Sequence, residues 1–129
     1  MTHTVCNPAG LQFSRKFSSE HVSPYDEIEW ENRTAAIKDD KGKVIFEQHD
    51  VEVPKRFSQL ATNILASKYF FGPHGSPQRE YSYRQVVFRV VSMIADAGRA
   101  KGYFASAEDA KVFEDELAWL LLNQYGAFN

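Results

Sequence analysis

Apolar positions change period several times along the chain, and each change marks an element. The last periodic stretch opens at Ser106. At ~100° per residue, Phe113, Leu117, Leu120 and Leu121 fall on one stripe, while Trp119 and Leu122 point to the opposite half, with Ala118 and Tyr125 at its edge. Ser106 is placed to cap this helix, Asp109 to reach back to the cap amide, and Gly126 to end it. A helix that is apolar most of the way round needs cover on more than one side. It is either the buried centre of a small domain or a helix shaped for protein outside these residues.

Residues 80–99 carry a clear helical pattern. Val86, Val87, Val90, Val91, Met93, Ile94 and Ala97 make one broad face, and Gln85, Arg89, Ser92, Asp96 and Arg99 the other. Gly98 and Gly102 are expected to loosen and end it. Phe57, Leu60, Ala61, Ile64 and Leu65 give another helical stripe, and Gly72, Pro73, Gly75 and Pro77 then impose a loop. Upstream the period is that of strands. Ala35, Ala36 and Ile37 lead into a turn at Asp39-Asp40-Lys41-Gly42, Val44, Ile45 and Phe46 return, and Val51 and Val53 suggest a third strand ended by Pro54. Ser23, Pro24 and Asp26 open a short helix over residues 24–30. Residues 1–22 have no period and read as an extended or flexible arm, with Leu11, Phe13 and Phe17 as docking groups. The fold class expected is α+β, mostly α: three to four helices with a small antiparallel β-hairpin or three-stranded sheet near residues 34–53. Residues 23–129 are expected to form a single mostly helical domain.

Composition narrows the function. A chain of 129 residues with 43% hydrophobic and 14% aromatic content can build one core. Its net charge of −2 marks neither a nucleic-acid partner nor a membrane surface. No apolar run approaches the ~20 residues of a membrane span. Met1-Thr2-His3-Thr4-Val5 lacks the basic-then-apolar order of a secretion signal, so a cytoplasmic location is expected. Cys6 is the single cysteine, which excludes an intrachain disulfide and a cysteine metal cluster. The four histidines, at 3, 21, 49 and 74, are far apart in sequence, and none belongs to a paired metal-ligand or nucleotide-binding motif. His74 in the Gly/Pro loop is a conceivable ligand or base, but a solvent-facing loop histidine is the better reading. Glu114-Asp115-Glu116 reads as the wet side of its helix, and the arginines 79, 84, 89 and 99 as a solvated face rather than a phosphate site. The residues themselves support no catalytic role.

Several segments, taken in order, resemble the N-terminal region of adenosylcobalamin-dependent (class II) ribonucleotide reductases. They are Gly10-Leu11-Gln12-Phe13-Ser14-Arg15-Lys16-Phe17, Pro24-Tyr25-Asp26-Glu27-Ile28-Glu29-Trp30-Glu31, Val51-Glu52-Val53-Pro54, Gln59-Leu60-Ala61-Thr62-Asn63, Ser67-Lys68-Tyr69-Phe70, Gly102-Tyr103-Phe104 and Gln124-Tyr125-Gly126-Ala127-Phe128-Asn129. The chain departs from the family at Arg56-Phe57 and at Ala97, both packing-like positions. The resemblance implies a parent enzyme that reduces ribonucleotides with adenosylcobalamin, through a thiyl radical and a reducing cysteine pair on a barrel. That chemistry needs at least three cysteines, so none of its catalytic or cofactor-binding roles is carried over to this chain, which is expected to bind no cofactor or metal by itself.

In that family the Ala-Phe-Asn end leads directly into the substrate-binding barrel. Phe128 and Asn129 are therefore expected at the edge of the substrate pocket, and Trp119, Leu122 and Tyr125 on a barrel-facing surface. The partners implied are the remainder of the barrel and, through the parent enzyme, the ribonucleotide. A different reading is a free-standing interaction module using the Trp119/Leu122 face; a third is a small enzyme using His74.

Overall fold

The computed structural model describes residues 3–127. The chain divides into two compact units, one of residues 29–86 and one formed by the residues up to Ile28 together with those from Val87 onward. The fold class is α+β, as the periodicity predicts.

In the unit of residues 29–86, strands β1 (Trp30–Lys38) and β2 (Val44–Pro54) form an antiparallel hairpin. Asp39 sets the turn, its Oδ1 accepting the amides of Lys41 at 2.9 Å and Lys43 at 2.8 Å. The expected third strand is the far half of β2. Arg33 pairs with Val51 but Ala35 pairs with Gln48, so β2 carries one extra residue there, and Asp50 takes a left-handed φ of 56°. This bulge breaks the alternation that a reader of the sequence follows.

Helix α1 (Gln59–Ile64) starts at Ser58, whose hydroxyl accepts the Ala61 amide at 3.0 Å, and runs into a π turn over Leu65–Tyr69. Ala35, Val51, Val53, Phe57, Leu65, Ala66 and Phe70 make the core of this unit. The expected helical stripe is corrected at two places: Leu60 and Ile64 are exposed, while Thr62 is buried. Thr62 tolerates burial because its hydroxyl donates to the Ser58 carbonyl at 3.0 Å and accepts from Arg33 Nη1 at 3.0 Å. Arg79 donates to the carbonyls of Ala66, Phe70 and Gly72, around and beyond the π turn. Arg84 pairs with Glu52 at 3.0 Å and lies 4.4 Å from the centre of the Trp30 ring. These arginines are tied into the fold, so the solvated-face reading does not hold for them.

Helix α2 (Tyr83–Ala100) begins in this unit and continues in the other. Ser82 Oγ accepts the Arg84 amide at 3.1 Å and Gln85 Oε1 accepts the Ser82 amide at 3.1 Å, a reciprocal cap.

In the second unit, α2 buries Val87, Val91, Ala95 and Gly98. Gly98 does not loosen the helix. A Cβ there would come within 2.7 Å of the Phe104 ring, so glycine permits close packing, and the turn comes later at Gly102, with φ 70°. The expected short helix at 24–30 is one 3₁₀ turn, Pro24–Glu27, after which Ile28 goes extended and Trp30 opens β1.

Helix α3 (Ala107–Leu122) is capped by Ser106, whose Oγ accepts the Asp109 amide at 3.1 Å. It ends before Gly126: Gln124 adopts φ 61°, its amide meets the Leu121 carbonyl at 3.1 Å, and the Tyr125 amide meets the Leu120 carbonyl at 2.8 Å. These paired bonds complete a Schellman ending with glutamine at the left-handed position. The buried face of α3 carries Ala110, Val112, Ala118, Leu121 and Leu122, and the stripe of Phe113, Leu117 and Leu120 is only partly covered. Among the described residues, no helix is long and apolar enough to cross a membrane.

Candidate functional site: an aromatic and apolar docking surface

The acidic residues of α3 hold the arm that precedes the 3₁₀ turn. Asp109 does not close onto the Ser106 amide. Its Oδ2 accepts the Ser106 hydroxyl at 2.7 Å and its Oδ1 accepts the Phe13 amide at 2.9 Å, and these bonds hold its carboxyl below the usual carboxylate range. Asp115 is buried between Arg15 Nη1 at 2.8 Å and Lys111 Nζ at 2.9 Å. Glu116 accepts the amides of Lys16 and Phe17. Glu114 binds Arg99, which also meets Asp96 at 3.3 Å, and the Glu114 bond holds the guanidinium more firmly protonated than usual. The wet-side reading of Glu114-Asp115-Glu116 is thereby corrected: each carboxylate is a fastening. Burial, with Glu114 and Asp115 nearby, pushes the Tyr25 phenol well above its ordinary pKa.

Farther up the arm the contacts are strand-like. The Leu11 amide donates to the Tyr103 carbonyl at 2.8 Å and the Ala105 amide to the Leu11 carbonyl at 2.9 Å. At Gly10 an added Cβ would lie 2.8 Å from the Phe104 carbonyl carbon, so the two backbones meet only because the residue has no side chain. Phe13 then packs against Phe104 and Phe113, with ring centres 6.1 and 5.3 Å away.

Fastening the arm places Phe17 on Trp119, stacked at 4.9 Å, and Tyr125 stacks near the same indole at 5.7 Å. Of the residues expected on a partner-facing surface, Tyr125 is 74% exposed and Trp119 partly so. Leu122 is fully buried by its own chain, on the same side of α3 as Ala118, and contributes no outer surface. Phe128 and Asn129 lie outside the described residues. His74 is exposed on its loop, with its ring 5.0 Å from that of Phe46.

A feature not singled out from the sequence lies in the same unit. An open apolar groove of about 390 Å³ is lined by Leu11, Met93, Ile94, Ala97, Tyr103 and Phe104, among others, with no charged side chain. A second cavity, of about 410 Å³, is polar and includes Arg15, His21, Glu108, Lys111 and Asp115, of which Asp115 is already paired with both cations. Among the described residues, no group of three or more His, Cys, Asp or Glu is placed to hold a metal ion.

The geometry is that of an arm fastened to α3, beside a partly exposed aromatic cluster and an open apolar groove. The sequence model of the family described as class II vitamin B12-dependent ribonucleotide reductase matches residues 31–124. The vitamin B12-dependent ribonucleotide reductase of Rhodopirellula baltica is 49% identical over 94% of this chain and 12% of its own length. That of Streptomyces avermitilis is 43% identical over 100% of this chain and 15% of its own length, and that of Agrobacterium fabrum 31% identical over 92% and 12%. The chain thus spans roughly an eighth of the length of these relatives. It belongs to the class II vitamin B12-dependent ribonucleotide reductase family, as an N-terminal domain of that family.

Proposed function

We propose that these residues are the non-catalytic N-terminal portion of a cytoplasmic, vitamin B12-dependent ribonucleoside-diphosphate reductase that makes deoxyribonucleotides. The portion packs against the catalytic barrel and braces its first substrate-binding segment. The observation that carries this reading is the family match across residues 31–124 in a chain with a single, exposed cysteine. Adenosylcobalamin, the thiyl radical and the reducing cysteine pair belong to the rest of the enzyme. The role of this chain is mechanical. The carboxylates of α3 fix the arm, the arm and the Schellman ending fix Phe17 and Tyr125 around Trp119, and that aromatic surface meets the barrel.

The test is complementation. A reductase barrel lacking this region is produced alone and with the 129-residue chain, and reduction of a ribonucleoside diphosphate is measured with adenosylcobalamin present. Restored turnover on adding the chain is the expected result. A truncated barrel that already works at full rate, or a chain that turns over nucleotide unaided, overturns the reading.

A further inference from the structure

The broad apolar face of α2 is wider than its own unit covers. Val87, Val91, Ala95 and Gly98 are buried, whereas on the other side of that face Met93 is 68% exposed and Ala97 is also exposed. With Ile94 these two form one wall of the apolar groove, and Leu11 (56% exposed), Tyr103 and Phe104 are also among its lining. Open apolar surface of this kind marks an interaction site.

We propose that this groove seats an apolar segment of the same reductase polypeptide lying outside residues 1–129. The proposal rests on the reading that the chain is one portion of a longer reductase. The lining decides the chemistry of the occupant. A nucleotide, a nucleic acid or an acidic peptide would have to shed water from its charges with no cation in the groove to receive them. An uncharged apolar segment carries no such penalty and gains the burial of Met93, Leu11 and Tyr103. Length decides its source. The relatives matched here carry some 85% or more of their sequence outside the matched part. A segment tethered in the same chain meets the groove intramolecularly, without the concentration dependence of a free partner.

The test uses the complete reductase that contains these residues. A benzophenone amino acid is placed at Met93 and, in a separate protein, at Tyr125. Isotope-labelled and unlabelled enzymes are mixed before photolysis, and the cross-linked peptides are mapped by mass spectrometry. Both positions are exposed, so neither probe disturbs a core. The expected result is that the Met93 probe joins one contiguous apolar stretch outside residues 1–129, within a single chain. Cross-links to a second copy, cross-links confined to residues 1–129, or none at all overturn the inference. If the Tyr125 probe reaches the remainder of the enzyme while the Met93 probe does not, the groove assignment alone fails. If neither probe reaches it, the proposed function fails with it.

Discussion

Helix α2 presents the same chemistry twice and treats it in two ways. Val87, Val91 and Ala95 are sealed inside the unit, while Met93 and Ala97, on the other side of the same apolar face, line an open groove. Helix α3 repeats the contrast: Ala118 and Leu122 are buried, whereas Trp119 stays partly exposed with Phe17 and Tyr125 stacked on it. Apolar pattern alone therefore does not separate residues that hold the unit together from residues available to something else. The carboxylates of α3 help make the separation, because they pin the arm and thereby fix where cover ends.

The sharpest way to break this comparison is to cut into both sides of it. Leu122→Ala removes a fully buried side chain and is expected to cost about 2–5 kcal/mol in denaturant unfolding. A cost near zero would mean that Leu122 faces outward after all. Gly98→Ala forces a methyl group against the buried Phe104 ring and is expected to cost about 1–3 kcal/mol, read as a lower melting temperature. Gln124→Gly relieves the left-handed backbone at the end of α3, a gain of roughly 0.5–1 kcal/mol after the extra freedom glycine gives the unfolded chain, seen as a small rise in denaturation midpoint.

Acid gives a local effect. The Asp109 carboxyl is held below its usual range by Ser106 and the Phe13 amide. A depressed carboxyl contributes stability that is complete above its unfolded value of ~3.9 and is lost as pH falls through the lower folded value. The Phe13 amide resonance is therefore expected to shift only below about pH 4, and Asp109→Asn to remove that titration step. The smallest effect belongs to Met93→Ala, which should move the stability of this chain by no more than ~0.5 kcal/mol, since the side chain is already mostly in water. A loss as large as that of Leu122→Ala would show that the groove is part of the core.

Much of the fold is legible in the order of the residues. The fold class, the hairpin turn at Asp39, the cap Ser106 and the two long helices follow from local rules that a few neighbouring residues satisfy by themselves. Ser82 and Gln85 also carry a capping signal, a serine followed by glutamine three positions later, which lies outside the apolar pattern of α2. Of the three residues expected on a partner-facing surface, Tyr125 is exposed and Trp119 partly so, whereas Leu122, which shares their position off the main stripe, is buried.

What the sequence determined by itself is what depends on spacing along the chain: the period of each element, its start, and the family to which the ordered motifs belong. What only the tertiary structure decided is which apolar half is covered, that Asp109 and Glu116 hold an arm some hundred residues away in sequence, and that Asp50 bulges β2. A helix pattern gives direction around an axis but not the identity of the neighbour in that direction. A carboxylate's partner is set by which backbone amides the fold brings within 3 Å, and no local rule contains that distance.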